Sequence, residues 1–275
     1  MISSRVGFTQ GRLVNMIDGK IQAFPKNDWE NEFKLAKSIS ISLMEWTLDY
    51  EDLYENPMMT ILGRKKILEL SSRFSLSIPS VVGDCFMQQP FWRTTKSMKL
   101  EKDFLDVVHA ASKVGARFIV VPLVDNGSLT SKNEEDKLIF FMLENYLLFK
   151  EINIKIIFEI DFDPEKLKHF IDLLPEDVFG INYDIGNSAA LGFDPLEEFK
   201  SYGDRILNVH VKDRKLGSTT VPLGQGNANF NLIFAELNSA GYTGNFILQT
   251  ARDQNNQHLE VIEKYAKMVT QWVMK

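Results

Sequence analysis

The chain has 275 residues, 44% of them hydrophobic and 25% charged, enough to bury one large core at the usual size of a single barrel domain. Its formal net charge of -6 argues against a nucleic-acid partner, because such binding draws on counterion release from a broad basic face. Cys85 is the only cysteine, so no intrachain disulfide forms; no run approaches ~20 apolar residues and Met1-Ile-Ser-Ser-Arg5 lacks a signal-peptide stretch, so a cytoplasmic protein without a membrane partner is expected.

Eight short apolar, β-branched runs recur in chain order, each followed by a longer segment with helical periodicity. They are Val6 to Thr9, Ser42 to Trp46, Ile78 to Val82, Phe118 to Leu123, Lys155 to Glu159, Gly180 to Asp184, Leu207 to Lys212 and Phe246 to Thr250. Repeated βα units in this number predict an α/β fold, one (β/α)8 barrel spanning 1–275. After the first run, the irregular stretch Val14 to Asp28 reads as a loop over the barrel mouth, placed to cover a ligand. Ser131 with Glu134 predicts a capping box on the helix carrying Phe140, Leu143 and Leu147 at helical spacing. Asp163-Pro164 opens the next helix. Asp194-Pro195 opens another, with Glu197 at the capping-box position and Gly203 at its close, and Gly241 ends the segment Leu232 to Ala240. No tract rich in proline, glycine or a single charge marks a domain boundary.

In a barrel of this kind the site is built at the carboxyl ends of the strands. Here those ends carry Gln10-Gly11-Arg12, Glu45-Trp46, Glu159, Asp184, then His210, Lys212, Asp213 and Arg214, and finally Gln249 and Arg252. Glu159, Asp184 and His210 come from three successive strands, and two carboxylates with one imidazole suit a borderline divalent ion such as Mn, Mg, Co or Zn. The same three side chains also suit an ion-pair layer at the mouth. Gly224-Gln-Gly226 is a turn that lets backbone N–H groups approach a ligand or simply precedes the helix near Asn229. His109, His169 and His258 fall in helical patterns and read as structural. Trp46, Phe86, Phe91 and Trp92 read either as core or as a platform for a sugar face, with Trp46 the best placed for stacking.

The runs Tyr183-Asp-Ile-Gly-Asn-Ser188, Asn208-Val-His-Val-Lys-Asp-Arg214 and Val221-Pro-Leu-Gly-Gln-Gly-Asn-Ala-Asn-Phe230 give the chain a likeness to a known family. It resembles the xylose isomerase-like TIM barrels of the sugar phosphate isomerase/epimerase family, in particular the ketose-phosphate 3-epimerases acting on hexulose 6-phosphate or xylulose 5-phosphate. The resemblance implies one divalent metal ion held by Glu159, Asp184, His210 and the residue at 249. In the family that last ligand is a glutamate and the second of two acid–base groups on opposite faces of the sugar; here it is Gln249, which has no titratable proton. Glu45, Asp213 or a water on Gln249 are candidate substitutes. Isomerisation through a cis-enediol needs only one base on one face, so Glu159 alone could serve it. The resemblance further implies a small sugar or sugar phosphate as partner, substrate contacts from Arg214, Lys212, Asp213, Asn187, Glu45, Trp46, Arg12 and Arg252, and a dimeric or tetrameric assembly. Rim pairing of these arginines and Lys212 with Asp213 and Glu45 accounts for them equally well. Two other readings stand beside it: a degenerate barrel that binds a sugar without turnover, and a metal-dependent abasic-site endonuclease. The charge and the count of four histidines disfavour the endonuclease.

Overall fold

Parallel strands buried on both faces read as continuous apolar runs, and all eight runs are strands of one closed parallel barrel in a computed structural model, which describes residues 2–274. They are β1 (Val6–Thr9), β2 (Leu43–Thr47), β3 (Ser80–Val82), β4 (Phe118–Leu123), β5 (Lys155–Ile160), β6 (Phe179–Asp184), β7 (Ile206–Val211) and β8 (Asn245–Leu248). Neighbours follow chain order around the ring and β8 pairs with β1. Strand ends differ from expectation by up to two residues. β3 begins at Ser80 because Pro79 just before it has no N–H for the ladder. No helix among the described residues is long and apolar enough to cross a membrane.

The main core lies between the barrel and its helices; a second, small cluster of Val82, Val120 and Ile157, with Phe118 and Leu207 against it, stands apart from it. Leu207 joins the small cluster through an irregularity in β7. Pairing with β6 passes from Ile181↔Ile206 to Asn182↔Asn208, so Leu207 is an extra residue and the strand is re-aimed beyond it. A side chain at Gly180 would put a Cβ 2.5 Å from Leu207 Cδ1, which is why glycine stands there.

The helix signals are met at most ends. Asp163 and Asp194 accept from Lys166 N and Leu196 N, Ser131 accepts from Glu134 N, and Gly241 follows the helix Phe230–Ser239 at φ +67°. Glu134 turns its carboxylate to Thr130 N, one residue before the expected capping-box partner. The helix Lys132–Glu144 also faces differently from the pattern read in sequence. Leu138, Phe141 and Met142 are buried, whereas Phe140 and Leu143 are exposed, as is Leu147, which falls on a separate helix, Tyr146–Glu151. Two apolar stripes at helical spacing lie on neighbouring faces, and contact with Phe91 and Phe104 selects the one carrying Phe141.

Residues 14–28 form neither helix nor strand. Side chains of the mouth, buried for Arg12 and Asp84 and half-buried for Asp49, tie them down: Arg12 Nη1 donates to Ile21 O at 2.5 Å, Gln22 Nε2 donates to Asp84 Oδ2 at 2.6 Å, and Phe24 N donates to Asp49 Oδ2 at 2.8 Å.

Candidate active site

A strand turns alternate residues to one face, so a polar residue at every second position near a strand end builds a polar layer. Asn182 and Asp184 do this on β6, Asn208 and His210 on β7, and Lys212 continues the series just past β7. Glu159 joins them from β5 and Glu45 from β2. Glu159 accepts from Asn182 Nδ2 at 2.9 Å and from Asn187 Nδ2 at 2.6 Å. Asn187 is in turn fixed by Arg214, whose Nη1 donates to its Oδ1 at 2.8 Å while Nε and Nη2 donate to Ser218 O. His210 stands between carboxylates, with Nε2 2.7 Å from Glu45 Oε1 and Nδ1 3.0 Å from Glu159 Oε2. Ser80 Oγ donates to the other oxygen of Glu45. Asp184 caps the helix Ile185–Leu191, its Oδ1 accepting from Asn187 N at 2.8 Å, which leaves Oδ2 facing the site.

Burial opposes charge on both Glu159 and His210, but each supplies the other with an opposite charge at hydrogen-bond distance. That contact, with Lys212 and Glu45 beside it, holds the Glu159 carboxyl below the usual carboxylate range and the His210 imidazole above its usual range.

One donor atom each from Glu159, Asp184 and His210 lie within 4.8 Å of one another. Asp184 Oδ2 and His210 Nδ1 are buried without a well-aligned hydrogen bond and lie 3.9 Å apart. Each is met by a charged neighbour, Asp184 Oδ2 by Lys212 Nζ at 2.6 Å and His210 Nδ1 by Glu159 Oε2 at 3.0 Å, and the set of two carboxylates and one imidazole has the oxygen and nitrogen chemistry that fits a borderline divalent ion. Gln249, the fourth expected donor, is buried nearby, but its Oε1 accepts from Lys212 Nζ at 3.0 Å.

The remaining candidates separate into two groups. Lys212, Asn187 and Glu45 touch the donor cluster, and Arg214 reaches it through Asn187. Asp213, Arg12, Arg252 and Trp46 do not. Asp213 is wholly buried and accepts from Gly224 N, Gly226 N and Ala228 N, so the N–H groups of the glycine turn meet a protein carboxylate instead of a ligand. A Cβ at Gly226 would fall 2.2 Å from Asp213 Oδ1. Arg12 donates to Ile21 O and Gln22 Oε1, and Arg252 donates to Gly11 O and Val14 O, so both arginines hold loop backbone. Trp46 directly follows Glu45 and therefore points to the opposite face, fully buried against Phe24 and Trp29 with its Nε1 donating to Asn56 Oδ1. Phe86, Phe91 and Trp92 are likewise buried core residues.

Sequence reading passed over Asn182, Ser80, Asn208 and Glu198. Asn182 and Asn208 were open to it, since each stands two residues before a candidate ligand. Ser80 and Glu198 carry no such signal. Glu198 accepts hydroxyls from Ser188, Tyr183 and Tyr202 at 2.6, 2.8 and 2.6 Å and so anchors the helix bearing Asn187.

A closed (β/α)8 barrel with acids, amides and a histidine converging at the carboxyl ends of β5 to β8 defines a barrel of the enzyme type. The profile of the xylose isomerase-like TIM barrel family matches residues 33–270, and the chain belongs to that family. An inosose dehydratase of Clostridium perfringens is 26% identical over 228 residues, covering 69% of this chain and 73% of its own. A protein of Haemophilus influenzae provisionally named L-ribulose-5-phosphate 3-epimerase SgbU is 23% identical and covers 92% of this chain and 95% of its own. The solved structure of an IolI protein with a bound zinc atom superposes with a TM-score of 0.74 at 14% identity, covering 98% of each chain, a likeness of fold.

Proposed function

We propose that this protein is an isomerase or epimerase of a sugar or sugar phosphate, in which Glu159 moves a proton at the carbon next to a carbonyl. The carrying observation is the placement of Glu159: buried, 3.0 Å from His210 Nδ1, and fixed by two amide donors at the barrel mouth. The names of the relatives support it. Removal of a proton beside a carbonyl begins both the 3-epimerisation of a ketose and the dehydration of a keto-inositol.

Glu159, Asp184 and His210, with Gln249 as fourth donor, would hold a divalent ion, which when bound polarises the carbonyl and steadies the negative charge of the enediolate. Asn182 and Asn187 restrict the Glu159 carboxylate to one direction of approach, and Arg214 restricts Asn187. Glu45 keeps His210 in register from behind. Because Gln249 neither takes nor gives a proton, the site carries one carboxylate base on one face, which favours isomerisation over inversion at a carbon.

The test is solvent exchange. The wild type, supplied with Mn, Mg, Co or Zn ions, is incubated in deuterium oxide with a panel of aldoses, ketoses and their phosphates. Deuterium at the carbon beside the carbonyl is expected for at least one sugar, and none with Glu159→Gln. No incorporation into any sugar overturns the reading. A sugar-binding barrel without turnover then takes its place, favoured by the contact of Gln249 with Lys212. For that second reading, binding without exchange in the wild type and exchange regained by Gln249→Glu is the expected pattern.

A further inference from the structure

We propose that Lys212 is a built-in cation of this site, competing with a divalent ion for Asp184 and Gln249, so that the ion loads only as the lysine is displaced. The proposal rests on the reading of Glu159, Asp184, His210 and Gln249 as the ion's donors, and not on what sugar is turned over.

Lys212 stands two residues beyond His210, one layer nearer the mouth. Its Nζ lies 2.6 Å from Asp184 Oδ2 and 3.0 Å from Gln249 Oε1. These are the oxygens an ion would need. The other Asp184 oxygen already accepts from Asn187 N, and a glutamine amide has a single oxygen to offer a cation. The pair is little hydrated, with 12% of the Lys212 side chain and 1% of the Asp184 side chain exposed, so neither charge is replaced cheaply by water.

The lysine stem has a fitted place. A Cβ at Gly186 would meet Lys212 Cγ at 2.7 Å and its Cβ at 3.0 Å, so the glycine after the Asp184 cap leaves room for the stem. An amide at 249 also matters for the balance of charge. A carboxylate there would draw both an ammonium and a divalent ion, whereas the neutral amide leaves two cations to share one oxygen of Asp184. Two positive charges within a few ångströms repel strongly in a poorly hydrated site, so the ion and the ammonium exclude each other.

The experiment measures Mn²⁺ affinity, without sugar and at one pH, for the wild type, Lys212→Met and Lys212→Arg. Calorimetry, with electron paramagnetic resonance of the free ion, gives the dissociation constants, and a thermal melt without metal reports folding. Lys212→Met is expected to bind Mn²⁺ about tenfold more tightly or better than wild type, since the repulsion is gone and the aliphatic stem stays. Lys212→Arg keeps a charge and is expected to stay near wild type. Equal or weaker binding by Lys212→Met, no binding by either protein, or equal tightening by Lys212→Arg overturns the proposal. Should Lys212→Met not fold, the wild type alone decides. Reductive methylation of Lys212, read by mass spectrometry, should rise as Mn²⁺ saturates the site, and unchanged or lower labelling overturns the competition. None of these readings involves proton transfer, so a failure here is separate from a failure of solvent exchange.

Discussion

Two buried carboxylates on opposite sides of the barrel mouth show what burial does and does not say about chemistry. Glu159, from β5, accepts from side-chain amides and faces the His210 imidazole at 3.0 Å, and its carboxyl is held below the usual range. Glu32, from the helix Trp29–Ser38 after β1, accepts from Gly11 N at 2.8 Å and Leu13 N at 3.1 Å, and desolvation pushes its carboxyl up to about 7 despite those N–H groups. Both are buried. The partners make the difference. Around β5 to β8, charged side chains are aimed at one another, Glu159 at His210 and Asp184, whose carboxyl burial pushes up, at Lys212. Around β1, Glu32, Arg12 and Arg252 spend their polar atoms on the loop that runs into residues 14–28, on its backbone except for Gln22 Oε1. One side turns polar side chains on one another, the other turns them on a loop.

The largest expected effect breaks that comparison if it fails. Glu159→Gln keeps the size of the side chain and one acceptor while removing the base, and turnover is expected to drop by about 10²- to 10⁴-fold. Elemental analysis of the purified proteins should find about one divalent ion per chain in the wild type and its loss in Glu159→Ala. Glu32→Gln, treated alike, should keep its ion and stay within about tenfold of wild-type turnover, since its partners are loop N–H groups. Equal losses from the two sides of the mouth would mean that the division drawn here is wrong.

The barrel and the donor cluster were open to sequence reading for one reason. Parallel strands are apolar on both faces, so a carboxylate or histidine at a strand end stands out against its own strand. Glu159, Asp184 and His210 are such residues, and the structure draws them together. What sequence could not give is the direction of long polar side chains. Arg12 and Arg252 sit at strand ends as Lys212 does, yet a guanidinium with five donors satisfies loop carbonyls as readily as a ligand, and only the path of residues 11–22 decides. The lone extra residue Leu207 shifts the facing of β7 without any mark in its composition. Strand alternation, applied strictly, would have separated Trp46 from Glu45 and recruited Asn182.

The next prediction sharpens the contrast through pH. A carboxyl raised in the folded state contributes stability that is complete below its unfolded value near 4.5 and is lost as pH rises through the folded value, about 7 for Glu32. One proton sets the slope, so the loss amounts to about 3 kcal/mol at most between pH 5 and 8. Asp84, also pushed up to about 7 by burial, bends the wild-type curve the same way, so the informative quantity is wild type minus Glu32→Gln. Urea unfolding at pH 5 and pH 8 should show that difference moving in favour of the variant as pH rises. A difference independent of pH would put Glu32 in its ionised form throughout and remove the opposition in sign between the two carboxylates.

Trp46 gives the smallest effect and the cleanest separation of stability from binding. Its ring packs 5.6 Å from Phe24 and 5.6 Å from Trp29, and its Nε1 donates to Asn56 Oδ1 at 3.1 Å, all on the helix side of β2. Trp46→Phe removes that donor and part of the ring from a filled core, which should lower stability by about 2 kcal/mol. Asn56 Oδ1 still accepts from Met58 N, so the turn it caps should persist and the damage should stay local. A sugar in the mouth would meet Glu45 and not this ring, so KM for whichever sugar shows exchange should stay unchanged while the urea midpoint falls. A tenfold rise in KM with an unchanged midpoint would place the indole against the substrate, and the helix side of β2 would then belong to the site after all.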